Sequence, residues 1–271
     1  MIRRLLEGLG GPYRRGEALA RRGDHERAVL AFGEAIRRNS RSAAAYDARG
    51  QSYHTMGKYQ RAVEDFDRAI RLQPDRGSAF NNRGSLFLAL GQARRALDDF
   101  SEAIRLNPRD ALAYTNRGSA YNKLNRTGQA IADFDAALRI KPRNAMACNN
   151  RGTCFNKLGK LERALEDYNR AIALDPRYAP AYNNRGSAHN RLGKYEEALT
   201  DLDRAIALEP NLAQAFDARS FAWRKLGNAE RALADLERAL ELDPRLAAKH
   251  RRAPRRRPSG RRGSGRTAKK D

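Results

Sequence analysis

The sequence predicts an all-α solenoid of stacked repeats, and three regularities carry that prediction. Pro74, Pro108, Pro142, Pro176, Pro210 and Pro244 fall 34 residues apart. Gly50, Gly84, Gly118, Gly152 and Gly186, with Ser220 in the last copy, each stand 24 residues before one of those prolines. Ala62, Ala96, Ala130, Ala164, Ala198 and Ala232 hold a fixed slot, and Phe66, Phe100, Phe134, Tyr168, Leu202 and Leu236 hold the slot four residues on. Self-similarity at one period of this length is the mark of a stacked repeat array.

The unit is clearest in Ala179–Leu212, APAYNNRGSAHNRLGKYEEALTDLDRAIALEPNL, numbered from slot 1 at Ala179. Six copies cover 43–76, 77–110, 111–144, 145–178, 179–212 and 213–246. A looser seventh, 9–42, keeps Gly16, Ala28, Phe32 and Ala35 but has Pro12 and Ser40 at the ends of the skeleton. The pattern resembles the tetratricopeptide repeat (TPR) family, with its skeleton of aromatic, Gly, aromatic, Ala, aromatic and Pro. Tyr182, Gly186, Ala198, Ala205 and Pro210 take their places in it, while His189 stands where an aromatic is usual. The resemblance implies a helix–turn–helix unit, about seven antiparallel pairs, and a right-handed superhelix whose A helices line a concave inner surface.

Taken in order, residues 1–10 read as a short amphipathic helix through Ile2, Leu5, Leu6 and Leu9, closed by Gly10, Gly11 and Pro12. It would cap the array, which spans 11–246. In each repeat helix A is expected over slots 1–14 and helix B over slots 17–30. The break between them is Met56-Gly57, Leu90-Gly91, Leu158-Gly159, Leu192-Gly193 or Leu226-Gly227. Leu124-Asn125 fits the same break because Asn tolerates a left-handed cap. The slot-32 proline stops helix B. Residues 247–271 hold Arg, Gly, Ser and Pro without apolar periodicity, and are expected to form a disordered basic tail.

Charge is uneven. Of the formal +22, the 25 residues after Leu246 supply +10. That tail offers phosphate-bearing partners, nucleic acid or anionic lipid, a non-specific attraction. It interleaves no aromatics for base stacking, and the 44 Arg against 10 Lys of the whole chain also fit a general Arg bias. No apolar run is long enough to span a membrane and the N-terminus lacks a signal-peptide core, so a cytoplasmic protein is expected. The two cysteines, Cys148 and Cys154, are six apart, about 240° on a helix, and read as separate buried thiols.

Enzyme chemistry finds no foothold. Gly152–Lys160 imitates a phosphate loop, but six residues separate the glycines and no Ser or Thr follows the lysine. His25, His54, His189 and His250 lie in different copies or the tail, without metal or catalytic spacing. The acid pairs Asp65/Asp67, Asp133/Asp135 and Asp201/Asp203 diverge on a helix. The expectation is a non-catalytic protein without cofactor or metal.

The informative polar slots are in helix A. Slot 6 is Asn82, Asn116, Asn150 and Asn184, flanked by Ala48 and Ala218; slot 5 adds Asn81, Asn149 and Asn183. Slot 13 holds Lys123, Lys157, Arg191 and Lys225. A carboxamide donates and accepts together, so a regular Asn row suits the backbone of an extended peptide. The row resembles the asparagine ladder in the repeat domain of the O-linked N-acetylglucosamine transferase, which implies peptide capture but not catalysis. The slot-13 cations favour an acidic segment. Slot 7 is Arg49, Arg83, Arg117, Arg151, Arg185 and Arg219, matched by Asp65, Asp99, Asp133, Asp167, Asp201 and Asp235 in slot 23, which predicts a buried ion pair in every copy. Leu233, Leu236 and Leu240 face the open end, so the last repeat is expected to be the least stable or to self-associate.

Overall fold

A computed structural model describes residues 11–251, with side chains described as far as Ala248. The expected N-terminal helix over 1–10 and most of the basic tail lie outside the described residues. Fifteen α-helices follow one another, and among the described residues there is no strand. The A helices are α1 (Pro12–Arg21), α3 (Ala43–Thr55), α5 (Gly77–Ala89), α7 (Ala111–Lys123), α9 (Ala145–Lys157), α11 (Ala179–Leu192) and α13 (Ala213–Lys225). The B helices are α2 (His25–Arg38), α4 (Tyr59–Leu72), α6 (Ala93–Leu106), α8 (Thr127–Ile140), α10 (Leu161–Leu174), α12 (Tyr195–Leu208) and α14 (Ala229–Leu242). A last short helix, α15 (Leu246–Arg251), occupies the start of what the sequence assigns to the tail. Leu246 supplies that helix with one apolar residue, and its N–H donates to the Asp243 carbonyl.

Each A helix ends on a residue of opposite handedness. Asn125 does this at φ 58°, in the slot where other copies place glycine, as its side chain permits. Some starts are capped by side chains: Asn144 Oδ1 accepts from Ala147 N–H, and Asp110 Oδ1 from Leu112 and Ala113.

The core is made by letting A and B of one repeat approach closely. A Cβ built on Gly152 would lie 2.8 Å from Tyr168 Cε1 and 3.1 Å from the Ala164 carbonyl oxygen. Phe66, Phe100, Phe134, Tyr168 and Leu202 are fully buried over their glycines. The slot-20 alanines Ala62, Ala96, Ala130, Ala164 and Ala198 are also fully buried, where any larger side chain would push the helices apart. Cys148 and Cys154 are buried and unbridged.

Every B helix packs on the A helix before it and on the one after it. From α1 onward, consecutive A helices also touch one another, while consecutive B helices do not come within comparable contact. An array whose inner row is tighter than its outer row must curve toward that inner row, so the A-helix face is the concave one.

Candidate groove on the A-helix face

The six slot-7 arginines pair with the slot-23 aspartates in each of the six regular copies. Arg151 Nε and Nη2 donate to Asp167 Oδ2 and Oδ1 at 2.9 and 2.6 Å, a two-pronged fork. The same fork joins Arg49–Asp65, Arg83–Asp99, Arg117–Asp133, Arg185–Asp201 and Arg219–Asp235, with closest distances of 2.6–2.8 Å. The hydrogen bonds to Asp99 and Asp167 hold Arg83 and Arg151 well above the ordinary arginine range, against the opposing effect of burial.

The third hand of five of these arginines, all but Arg49, reaches back one repeat. Nη1 of Arg83, Arg151 and Arg219 donates to Asp67, Asp135 and Asp203, slot 25 of the preceding copy, at 2.5, 2.6 and 2.6 Å. Arg117 meets Ser101 there, and Arg185 meets Asn169. The paired acids that the sequence presents as diverging do diverge: one serves its own repeat and the other serves the next.

Slots 5 and 6 form a second inter-repeat system, nearer the groove. Asn82 Nδ2 donates to Asp47 Oδ1 at 2.8 Å, Asn116 Nδ2 to Asn81 Oδ1 at 3.0 Å, and Asn184 Nδ2 to Asn149 Oδ1 at 2.9 Å. Asn150 Nδ2 donates instead to Ser119 Oγ at 3.2 Å. At Asn81 and Asn149, slot 5 is thereby corrected as a ligand-facing position. Asn81 and Asn149 are 5% and 3% exposed, closed over by the next A helix, and act as acceptors between repeats. Asn183 is half-buried, and its Nδ2 donates to Asn184 Oδ1. The slot-6 asparagines remain half-buried, and Asn82 and Asn116 keep carboxamide oxygens that accept from no described group.

Slot 13 remains outermost. Lys123 Nζ donates to the Leu88 carbonyl oxygen at 3.1 Å, Lys157 Nζ to Asn122 Oδ1 at 2.8 Å, and Arg191 Nη1 to Asn156. Lys225 Nζ sits 5.6 Å from the Phe221 ring centroid. All four are exposed, and none forms an ion pair with a described carboxylate. Lys123, Lys157 and Arg191 are positive charges held in place by the end of the preceding A helix, whose carbonyls favour them.

Two concavities open where alanine replaces the slot-6 asparagine. One, of about 400 Å³, lies beside Ala48 among Tyr13, Glu17, Asp47 and Arg76. The other, of about 750 Å³, lies beside Ala218 at the C-terminal end. Among the described residues no three His, Cys, Asp or Glu side chains gather as a metal site, and no helix is long and apolar enough to cross a membrane.

Tetratricopeptide repeat profiles match residues 13–79, 48–93 and 81–145, then 179–212 and 218–246; a TPR repeat profile matches 152–193. No curated relative matches the chain. Among solved structures, one from the APC/C hetero-tetramer Cut9–Hcn1 superposes with a TM-score of 0.78 at 19% identity, over 84% of this chain and 45% of that one. The chain thus spans less than half of that protein. A tetratricopeptide repeat protein from Parabacteroides merdae gives 0.69 at 22% identity, over 86% and 94% of the two chains. YrrB, described as a TPR protein with an unusual peptide-binding site, gives 0.50 at 26% identity, over 70% and 100%.

Proposed function

The chain belongs to the tetratricopeptide repeat family, and from that premise we propose that it is a non-catalytic scaffold whose concave A-helix face grips an extended, acidic segment of a partner protein. The carrying observation is the exposed row Lys123, Lys157, Arg191 and Lys225, without carboxylate partners among the described residues, beside the half-buried row Asn82, Asn116, Asn150 and Asn184. The cations attract carboxylates, and the asparagines offer the remaining N–H and C=O capacity to a peptide backbone. The printed description of YrrB, a TPR protein with a peptide-binding site, supports the same use of the fold. Asn81 and Asn149 contribute by holding the slot-6 row in register.

The test is capture of a partner on the immobilised full chain, identified by mass spectrometry. The fourfold variant Lys123→Glu, Lys157→Glu, Arg191→Glu and Lys225→Glu should lose the partner while keeping the parent melting curve. Deletion of residues 252–271 should retain it. Loss on deletion, with binding that collapses as salt rises, would instead assign recognition to the basic tail and a phosphate-bearing partner.

A further inference from the structure

The turns that join helix A to helix B all fall on one edge of the array, because each pair is antiparallel and the pairs stack in the same sense. Over slots 12–19 of the six regular copies that edge carries fourteen Lys or Arg and four Glu. The opposite edge, from slot 29 to slot 2 of the next copy, carries nine Lys or Arg and six Asp or Glu. Among the described residues none of the fourteen cations is ion-paired, whereas Arg76, Arg105 and Arg245 of the opposite edge are. Each A–B turn also presents an apolar side chain in slot 14. Leu90, Leu158 and Leu226 are 40%, 50% and 39% exposed, and none of them joins a core cluster among the described residues. Beside them Arg95 and Arg163 hold their guanidinium carbons 3.9 and 4.1 Å from the Phe87 and Phe155 ring centroids, which fixes the charge at the rim.

At slot 16 the sequence works against its own helices. That slot is the N-cap of helix B, and in the first and last copies Asp24 and Asn228 accept there from the N–H of Arg27 and Arg231. In four of the copies between them the same place holds Lys58, Arg126, Lys160 and Lys194, all exposed and none capping its helix. Each puts a positive charge at the positive end of a helix dipole. Helix stability alone would favour Asp or Asn at all four, so these cations serve a purpose outside the fold.

We propose that the A–B turn edge is a docking surface for an anionic lipid bilayer. The cations of slots 16 and 19 meet the phosphates and carboxylates of the headgroups, and the slot-14 leucines enter the layer beneath them. The leucines decide for lipid over nucleic acid, which has no apolar layer to receive them and favours uncovered aromatics for base stacking. Attraction is weakest at 179–212, where Glu196 and Glu197 offset Arg191 and Lys194. The edge engages slots 14, 16 and 19, none of which the groove reading uses.

Co-sedimentation of the full chain with phosphatidylcholine vesicles, with and without phosphatidylserine, tests it. The parent should bind the phosphatidylserine vesicles and leave the neutral ones. The fourfold variant Lys58→Asp, Arg126→Asp, Lys160→Asp and Lys194→Asp should lose about tenfold or more in vesicle binding. It should nevertheless melt at or above the parent temperature, because it supplies four missing caps. The triple variant Leu90→Ser, Leu158→Ser and Leu226→Ser should also weaken vesicle binding, and should leave any binding of a single-stranded oligonucleotide unchanged. A parent that binds neither vesicle, or a fourfold variant that binds as the parent does, would overturn the edge. Vesicle binding abolished by deletion of residues 252–271 alone would overturn it in favour of the basic tail. Vesicle binding untouched by the serine variant, with oligonucleotide binding lost in the aspartate variant, would overturn it in favour of nucleic acid.

Discussion

Replacing Arg151 by methionine tests whether the arginine clasp stabilises the array or merely decorates it. Arg151 is 20% exposed and holds two carboxylates, Asp167 through two hydrogen bonds and Asp135 through a third. Asp167 is 4% exposed, so Arg151→Met strands a carboxylate away from water. Breaking a buried pair from one side costs about 3–5 kcal/mol. In a domain of this size each kcal/mol moves the melting temperature by about 2–4 °C, so the expected fall is about 6–20 °C. The double variant Arg151→Met, Asp167→Leu should regain most of it, because a well-packed apolar pair often matches a buried ion pair. Thermal melts by circular dichroism measure all three proteins. Arg105→Ala, which removes a surface pair with Glu102, serves as the control and should leave the melt where it was. A single variant that melts with the parent, or a double variant worse than the single, would refute the reasoning.

Three further outcomes follow from local geometry. Gly152→Ala should cost about 1–3 kcal/mol, because its Cβ would overlap Tyr168 and approach the Ala164 carbonyl, whereas Gly128→Ala, with nothing within 4 Å, should stabilise by about 0.5–1 kcal/mol; chemical denaturation separates the two. Asn116→Ala should cost about 1–3 kcal/mol, because it leaves the buried Asn81 Oδ1 without its donor, so groove function is better probed at slot 13. Burial pushes the Cys154 thiol up to about 11, so in the folded chain it should resist alkylation at neutral pH. Its folded value is raised above the unfolded one, so its contribution to stability is fully present below about pH 8.5 and is lost as pH rises through about 11. An alkaline melt that is flattened in Cys154→Ala checks this.

What the sequence discloses and what it conceals divide along the repeat boundary. Arg49 with Asp65 and Arg151 with Asp167 were legible because both partners recur in one unit at fixed slots. The left-handed Asn125 was legible for the same reason. A helical wheel drawn for one unit says nothing of what the next unit lays over it. It therefore put Asn81 and Asn149 on the groove surface, although a following A helix closes over them. It also left the slot-25 acids Asp67, Asp135 and Asp203 without a purpose, because their arginines belong to the next copy. Rereading the sequence with an offset of one repeat, slot 25 against the following slot 7, would have found them. The change at Ala218 was visible as a break in pattern, but only the exposed Leu233 beside it turns that break into a cavity.

The third hand of the slot-7 arginines from Arg83 onward has a mechanical meaning. It bridges the outer side of the bend, where neighbouring B helices otherwise do not meet, so it acts as a tie against opening and closing of the curve. The ties differ in strength along the chain. Where Nη1 meets Asp67, Asp135 or Asp203 the joint is stiff; where Arg117 meets the neutral Ser101 hydroxyl at 3.2 Å it is softer. Between the first two repeats slot 25 is Gly33, which offers Arg49 no side chain, and slot 6 is Ala48, which offers no carboxamide. That joint has neither tie. A superhelix that must tighten or relax around its cargo would flex first at the junction of α2 and α3 and next at that of α6 and α7, with rigid blocks between.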